Sequence, residues 1–297
     1  MTRFTATAAS PHRHVLAEGP VWVASTNTLL WVDVERGEVL EGVLDGERVS
    51  TTRRLEFGET VGAVVRADDG RLLVAARERL VAVAPGTDAR TDGPAVVPPG
   101  SRRRTNDGTC DPAGRFLIGT LSLDDREGGE TLLRLEDDGS LTTVDDDLSL
   151  SNGLAFSPDG ALLYSTDTVP GIVWVRDYDV ATGAVGSRRE HLHITDGFPD
   201  GLCADARGHL WVAIWGKGEV RSFSPDGTLT DTVAVDAPHI SSVAFVGPGL
   251  HRLLITTASR DLDETGLQRH PNAGHLFLAD VGQTGTPVAA WNGQGIR

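Results

Sequence analysis

Six short stretches decide how this chain folds: Thr28-Leu-Leu-Trp-Val-Asp33, Arg71-Leu-Leu-Val-Ala-Ala76, Arg115-Phe-Leu-Ile-Gly-Thr120, Ala161-Leu-Leu-Tyr-Ser-Thr166, His209-Leu-Trp-Val-Ala-Ile214 and Arg252-Leu-Leu-Ile-Thr-Thr257. Their first residues lie 43, 44, 46, 48 and 43 positions apart. A repeat in the forties built from short β-rich runs is the spacing of a propeller blade. Turn signals bracket the runs, as in Asp68-Asp69-Gly70, Asp111-Pro112-Ala113-Gly114, Ser157-Pro158-Asp159-Gly160 and Ser224-Pro225-Asp226-Gly227. Apolar periodicity of 3.6 with caps is missing, and the 35 glycines and 15 prolines fall mostly between the apolar runs, so no helix is expected. The pattern predicts an all-β chain: a single six-bladed β-propeller domain spanning residues 1–297, with four antiparallel strands per blade. A β-sandwich would need six similarly worded strands to recur by coincidence. Ring closure has two solutions, a fourth strand near Pro287 to Trp291 or residues 4–10 pairing back onto the last blade.

Composition narrows the function classes. The chain has 297 residues, 27 Lys+Arg against 42 Asp+Glu and a formal charge of −15. That charge repels a phosphate backbone, and no basic stripe with interleaved aromatics offsets it, which argues against nucleic acid. No run approaches the roughly 18 apolar residues of a membrane helix, and Met1-Thr2-Arg3-Phe4-Thr5 lacks the apolar core of a signal peptide, so no membrane partner and a cytoplasmic location are expected. Cys110 and Cys203 have no CxxC spacing and read as small core residues. There is no GxSxG elbow for a nucleophilic serine.

Ahead of each quoted run lies another that should line the central channel. It carries a residue followed by Gly in five of six repeats: Glu18-Gly19, Val61-Gly62, Asp107-Gly108, Asn152-Gly153 and Asp200-Gly201, with Ser241-Ser242 in the sixth. Equivalent positions in successive blades converge on the ring axis. Glu18, Asn152 and Asp200 should therefore face one another at one channel mouth, with Asn106 and Asp107 nearby. Carboxylates gathered in a narrow channel repel unless a cation sits among them. Oxygen donors without His or Cys suit Ca²⁺, Mg²⁺ or Mn²⁺. Asn and Asp before Gly are also ordinary turn formers, but Glu18 in Glu-Gly-Pro has no such local role.

At these residues the sequence resembles the family of regucalcin (senescence marker protein), gluconolactonases and luciferin-regenerating enzyme. The matching segments are Glu18-Gly-Pro-Val-Trp22 with Leu29-Leu-Trp-Val-Asp33, Asn106-Asp-Gly with Asp111-Pro-Ala-Gly-Arg115, Ser151-Asn-Gly-Leu154 with Ser157-Pro-Asp-Gly160, and Phe198-Pro-Asp-Gly-Leu202 with Leu210-Trp-Val-Ala213, in order from about residue 16 to 280. The resemblance implies a six-bladed propeller that hydrolyses a small-molecule sugar lactone with one divalent metal ion, Ca²⁺ foremost and Mg²⁺, Mn²⁺, Zn²⁺ or Fe²⁺ as alternatives. It implies metal ligation by Glu18, Asn152 and Asp200; Asp200, with a second carboxylate oxygen to spare, is also the expected catalytic base. It implies substrate contacts from Arg104 and Asn106 in Arg104-Thr105-Asn106-Asp107-Gly108, and a further acidic contact near Asp124, where Leu121 to Glu130 departs from the family wording. Two other readings stay open: a metal-dependent phosphotriesterase-like hydrolase, and a non-enzymatic calcium-binding or scaffold propeller. Of the remaining motifs, His191 and His193 read as a solvated outer-strand pair, and His239 lies near the start of the sixth channel strand. The insertion between 258 and 274, with Asp261, Asp263, Glu264 and Arg269, reads as a loop over a channel mouth.

Overall fold

A computed structural model describes residues 1–124 and 128–296. The chain opens with two short strands, β1 (Thr2–Thr5) and β2 (Thr7–Ala8), and then builds its blades in sequence. Blade 1 is β3 (Ala17–Val23), β4 (Thr28–Asp33), β5 (Glu38–Asp45) and β6 (Arg48–Glu56). Blade 2 is β7 (Val61–Arg66), β8 (Leu72–Ala76), β9 (Arg79–Val83) and β10 (Arg90–Ala95). Blade 3 is β11 (Arg103–Cys110), β12 (Phe116–Ser122), β13 (Glu130–Leu135) and β14 (Leu141–Leu148). Blade 4 is β15 (Ser151–Phe156), β16 (Leu162–Asp167), β17 (Ile172–Asp177) and β18 (Arg189–His193). Blade 5 is β19 (Phe198–Ala204), β20 (Leu210–Trp215), β21 (Glu219–Phe223) and β22 (Leu229–Ala234). Blade 6 takes three strands from this end of the chain, β23 (His239–Val246), β24 (Arg252–Ala258) and β25 (Phe277–Ala279). The quoted stretches are the second strands, and the X-Gly runs are the first, innermost ones.

The N-terminus closes the ring. Strand β2 pairs antiparallel with β25 as the fourth strand of blade 6, while β1 adds a parallel fifth strand to β22 of blade 5. The segment Pro287 to Trp291 is not that fourth strand. It crosses the face of the ring opposite the starts of the inner strands, from a bridge between Asp205 and Gly285 to one between Ala67 and Trp291. Trp291, 2% exposed, enters the apolar layer between blades 2 and 3, and its backbone N–H donates to the carbonyl of Arg66 at 2.9 Å. This reflects burial: a large indole gains more in that layer than it would on a solvated outer edge.

Each apolar layer lies between neighbouring blades, because a strand puts alternate side chains on opposite faces. On β20, Trp211 and Ala213 pack toward blade 6, and Leu210, Val212 and Ile214 toward blade 4. The channel axis is thus free of the core and open to polar chemistry. One helix, α1 (Glu264–Arg269), sits in the β24–β25 connection, contrary to the helix-free expectation. Its N-cap Asp263 accepts from the Gly266 N–H at 2.7 Å, but the helix buries no residue, so no apolar stripe betrays it in sequence.

Candidate functional site

All six inner strands carry a register shift at the same place: Glu18/Val21, Val61/Ala63, Thr105/Gly108, Asn152/Leu154, Pro199/Leu202 and Ile240/Ser242. A bulge leaves one residue out of the ladder and re-aims its side chain. The glycines make that convergence possible. A Cβ on Gly153 would lie 2.4 Å from the Asp200 carbonyl oxygen, and one on Gly201 would lie 2.2 Å from Ser242 Oγ. Neighbouring inner strands approach so closely here that only hydrogen fits.

Glu18, Asn152, Asp200 and Arg104 are all buried at the mouth where the inner strands begin. The loop entering blade 1 is pinned by Asp33, whose carboxylate accepts from the N–H groups of Val15 and Leu16 at 3.0 and 3.2 Å. Asp167 does the same for Ser149 and Leu150 ahead of Asn152, at 3.0 and 3.1 Å. Asn152 Nδ2 donates to Thr168 Oγ1 at 3.1 Å, and that hydroxyl donates to the Pro199 carbonyl at 2.9 Å, tying blade 4 to blade 5 beside Asp200. The Asn152 amide oxygen is thereby directed to the other side, where it accepts from Asn106 Nδ2 at 3.2 Å. Asn106 Nδ2 also donates to the Ser151 carbonyl at 2.9 Å, and its Oδ1 accepts from Arg104 at 2.8 Å. Arg104 is therefore a buried member of the site rather than a surface arginine.

The electrostatics are those of an anion-rich hole. Burial, then the charges of Asp200 and Asp107, push the Glu18 carboxyl well above the usual range. Burial and Asp107 do the same to Asp200, against the opposing pull of Arg104 and Asn152. Asp107 is raised to about 6 by burial, and Arg104 is lowered to about 10 for the same reason. Asp200 Oδ1 is buried with no hydrogen-bond partner among the described residues. Three carboxyl groups thus share one guanidinium. The orphaned Asp200 oxygen and the mixed carboxylate and amide donor set fit a hard divalent cation. Among the described residues, no three or more His, Cys, Asp and Glu side chains stand together as a metal cage, so the amide of Asn152 is an integral part of any such set.

The other expected residues are more dispersed. Asp124 lies at the end of the β12 connection, where Arg102 engages its carboxylate. Residues 125–127, within the Leu121 to Glu130 segment, lie outside the described residues. His191 and His193 sit on β18, the outermost strand of blade 4, away from the channel. Cys110 is buried and Cys203 half-buried, and burial pushes both thiols up. The β24–β25 insertion lies on the same face as Glu18: Arg260 donates its N–H to Val15 at 3.0 Å and pairs with Glu35 at 3.0 Å. Below the site the channel opens into a cavity of about 1110 Å³, crossed at its far end by residues 286–290. Thr168, Asp33 and Asp167 were not singled out from sequence; the signal for the last two was an Asp closing the second strand of blades 1 and 4.

Comparison with known proteins covers nearly the whole chain. The SMP-30/gluconolactonase/LRE-like region model matches residues 16–259. The chain belongs to that family. It is 36% identical over 278 residues to a pentonolactonase of Haloferax volcanii, covering 92% of this chain and 93% of that one. It is 31% identical over 297 residues to an L-arabinolactonase of Azospirillum brasilense, covering 97% and 96%. Among solved structures it is similar to a calcium-binding protein, regucalcin, from Agrobacterium tumefaciens, with a TM-score of 0.91, 26% identity and 98% of both chains covered. No helix among the described residues is long and apolar enough to cross a membrane.

Proposed function

We propose that this family member hydrolyses an aldonolactone to its sugar acid with one divalent cation held by Glu18, Asn152 and Asp200. The observation that carries the reading is the buried pair of Glu18 and Asp200, with the half-buried Asp107 beside them, served by one buried Arg104 and with Asp200 Oδ1 unpartnered. The names of the lactonase relatives support the substrate class. The calcium-binding regucalcin supports a divalent ion, with Ca²⁺ the first choice and Mg²⁺, Mn²⁺, Zn²⁺ and Fe²⁺ the alternatives. When bound, such an ion supplies Lewis acidity toward a carbonyl oxygen.

The protein's own groups account for the rest. Arg104 and Asn106, joined at 2.8 Å, form a rigid pair that orients the lactone through its hydroxyl groups, the guanidinium donating its remaining N–H groups and the Asn106 amide oxygen accepting. Asp200 takes a proton from the attacking water and returns it to the ring oxygen as the ester bond breaks, so one carboxylate serves as base and then acid. Asp124, engaged by Arg102, is the further acidic substrate contact in this reading. The direct test is lactone hydrolysis followed with a pH indicator on chelator-stripped protein, with each cation added back. Turnover restored by a cation supports the reading; no turnover with any cation and any aldonolactone overturns it.

A further inference from the structure

Trp215 ends β20 directly opposite Phe198, the residue two before Asp200 on β19. By strand alternation it points, like Trp211 and Ala213, toward blade 6. There its indole stacks on His239 at the start of β23, with centroids 4.4 Å apart and planes 1° from parallel. His239 Nδ1 bonds the Arg260 carbonyl at 3.0 Å, and Arg260 is anchored to Glu35 and Val15. The Nδ1–H tautomer is therefore the one present, leaving Nε2 as an acceptor. Burial lowers the His239 pKa, which keeps that lone pair available. Neither His239 Nε2 nor Trp215 Nε1 has a hydrogen-bond partner among the described residues, although both rings are half-buried. Val15, which accepts from Arg260, and Leu16, which bridges to Ala258, lie two to three residues before Glu18, so this corner borders the same mouth.

We propose that the Trp215–His239 stack is a subsite for the exocyclic hydroxylated chain of the lactone, and that it sets the chain length the enzyme prefers. The assignment rests on the lactonase reading above. A carbon-bound hydroxyl accepts from the indole N–H and donates to the imidazole Nε2, while the apolar ring edges and the half-exposed Phe198 meet its C–H groups. A lactone with no exocyclic carbon has nothing to place there.

The test compares metal-loaded wild type with Trp215→Phe and His239→Phe, which keep an aromatic stack and remove the donor or the acceptor. The substrates are erythrono-γ-lactone, arabinono-γ-lactone and galactono-γ-lactone, with no, one and two exocyclic carbons. The expected result is a fall in kcat/KM of about three- to tenfold for the two longer lactones, carried in KM, with erythrono-γ-lactone unchanged; this is the ordinary effect of one lost neutral hydrogen bond. The ratio between substrates does not depend on the fraction of variant that is folded. An unchanged ratio in both variants, or an equal fall for all three lactones, overturns the subsite. Wild type inactive on all three with every cation overturns the lactonase reading itself, and is distinguishable because it is seen before any substitution.

Discussion

Replacing Asp200 by Asn keeps its volume and removes its charge, so the variant separates chemistry from packing. Turnover is expected to drop by about 10²- to 10⁴-fold, the usual cost of losing a positioned acid–base group, as read by the indicator assay. Stability should move the other way in chelator-treated protein, because Asp200 sits buried beside Asp107. The sign follows from proton linkage. Glu18, Asp107 and Asp200 hold protons more tightly folded than unfolded, so folding is unopposed below the ordinary carboxylate range and loses stability as pH rises through about 6, the value for Asp107. Metal-free wild type should melt at a lower temperature at pH 8 than at pH 6, and Asp200→Asn should reduce that drop; calorimetry with and without saturating cation checks both. Glu18→Gln removes one ligand charge and should weaken cation affinity by at least about tenfold in titration calorimetry. These residues were readable in sequence because identical spacing places equivalent positions on one axis. That Arg104 is buried and bonded to Asn106 was not readable, since Arg102, Arg103 and Arg104 look alike in a row.

At the scale of the strand, the inner bulges explain why X-Gly recurs. Gly153→Ala would drive a methyl into the Asp200 carbonyl. It is expected to cost about 1–3 kcal/mol as an overpacking defect, and to weaken cation affinity as well by displacing Asp200. Chemical denaturation and calorimetry on the same preparation measure the two effects; a stability loss with native affinity would mean that the glycine serves packing alone. The β24–β25 connection makes the complementary point. Its composition reads as a loop over a mouth, and it lies on the Glu18 face, but α1 within it leaves no mark in the sequence because a short surface helix needs no apolar face.

At the scale of the whole ring, closure depends on a few N-terminal residues. Only β2 completes blade 6, and Ala6 and Ala9 donate to Ala234 and Leu276 at 2.9 and 2.7 Å. Deleting residues 2–8 should lower the melting temperature sharply and open blades 6 and 1 first, seen as hydrogen-exchange deprotection of β25 and β6. Trp291→Ala, on the opposite face, should cost about 3–5 kcal/mol, typical of truncating a fully buried Trp, in equilibrium denaturation.

The sequence by itself determined the number of blades, the place of the inner and second strands in each and the candidate residues that repeat at the start of the inner strands. All three follow from periodicity, a local property that repetition makes unambiguous. Tertiary structure alone decided which terminus closes the ring, where Trp291 is buried, and that Trp215 and His239 stack at the mouth. Those contacts join segments far apart along the chain, and their outcome rests on competing burial energies that no local pattern records.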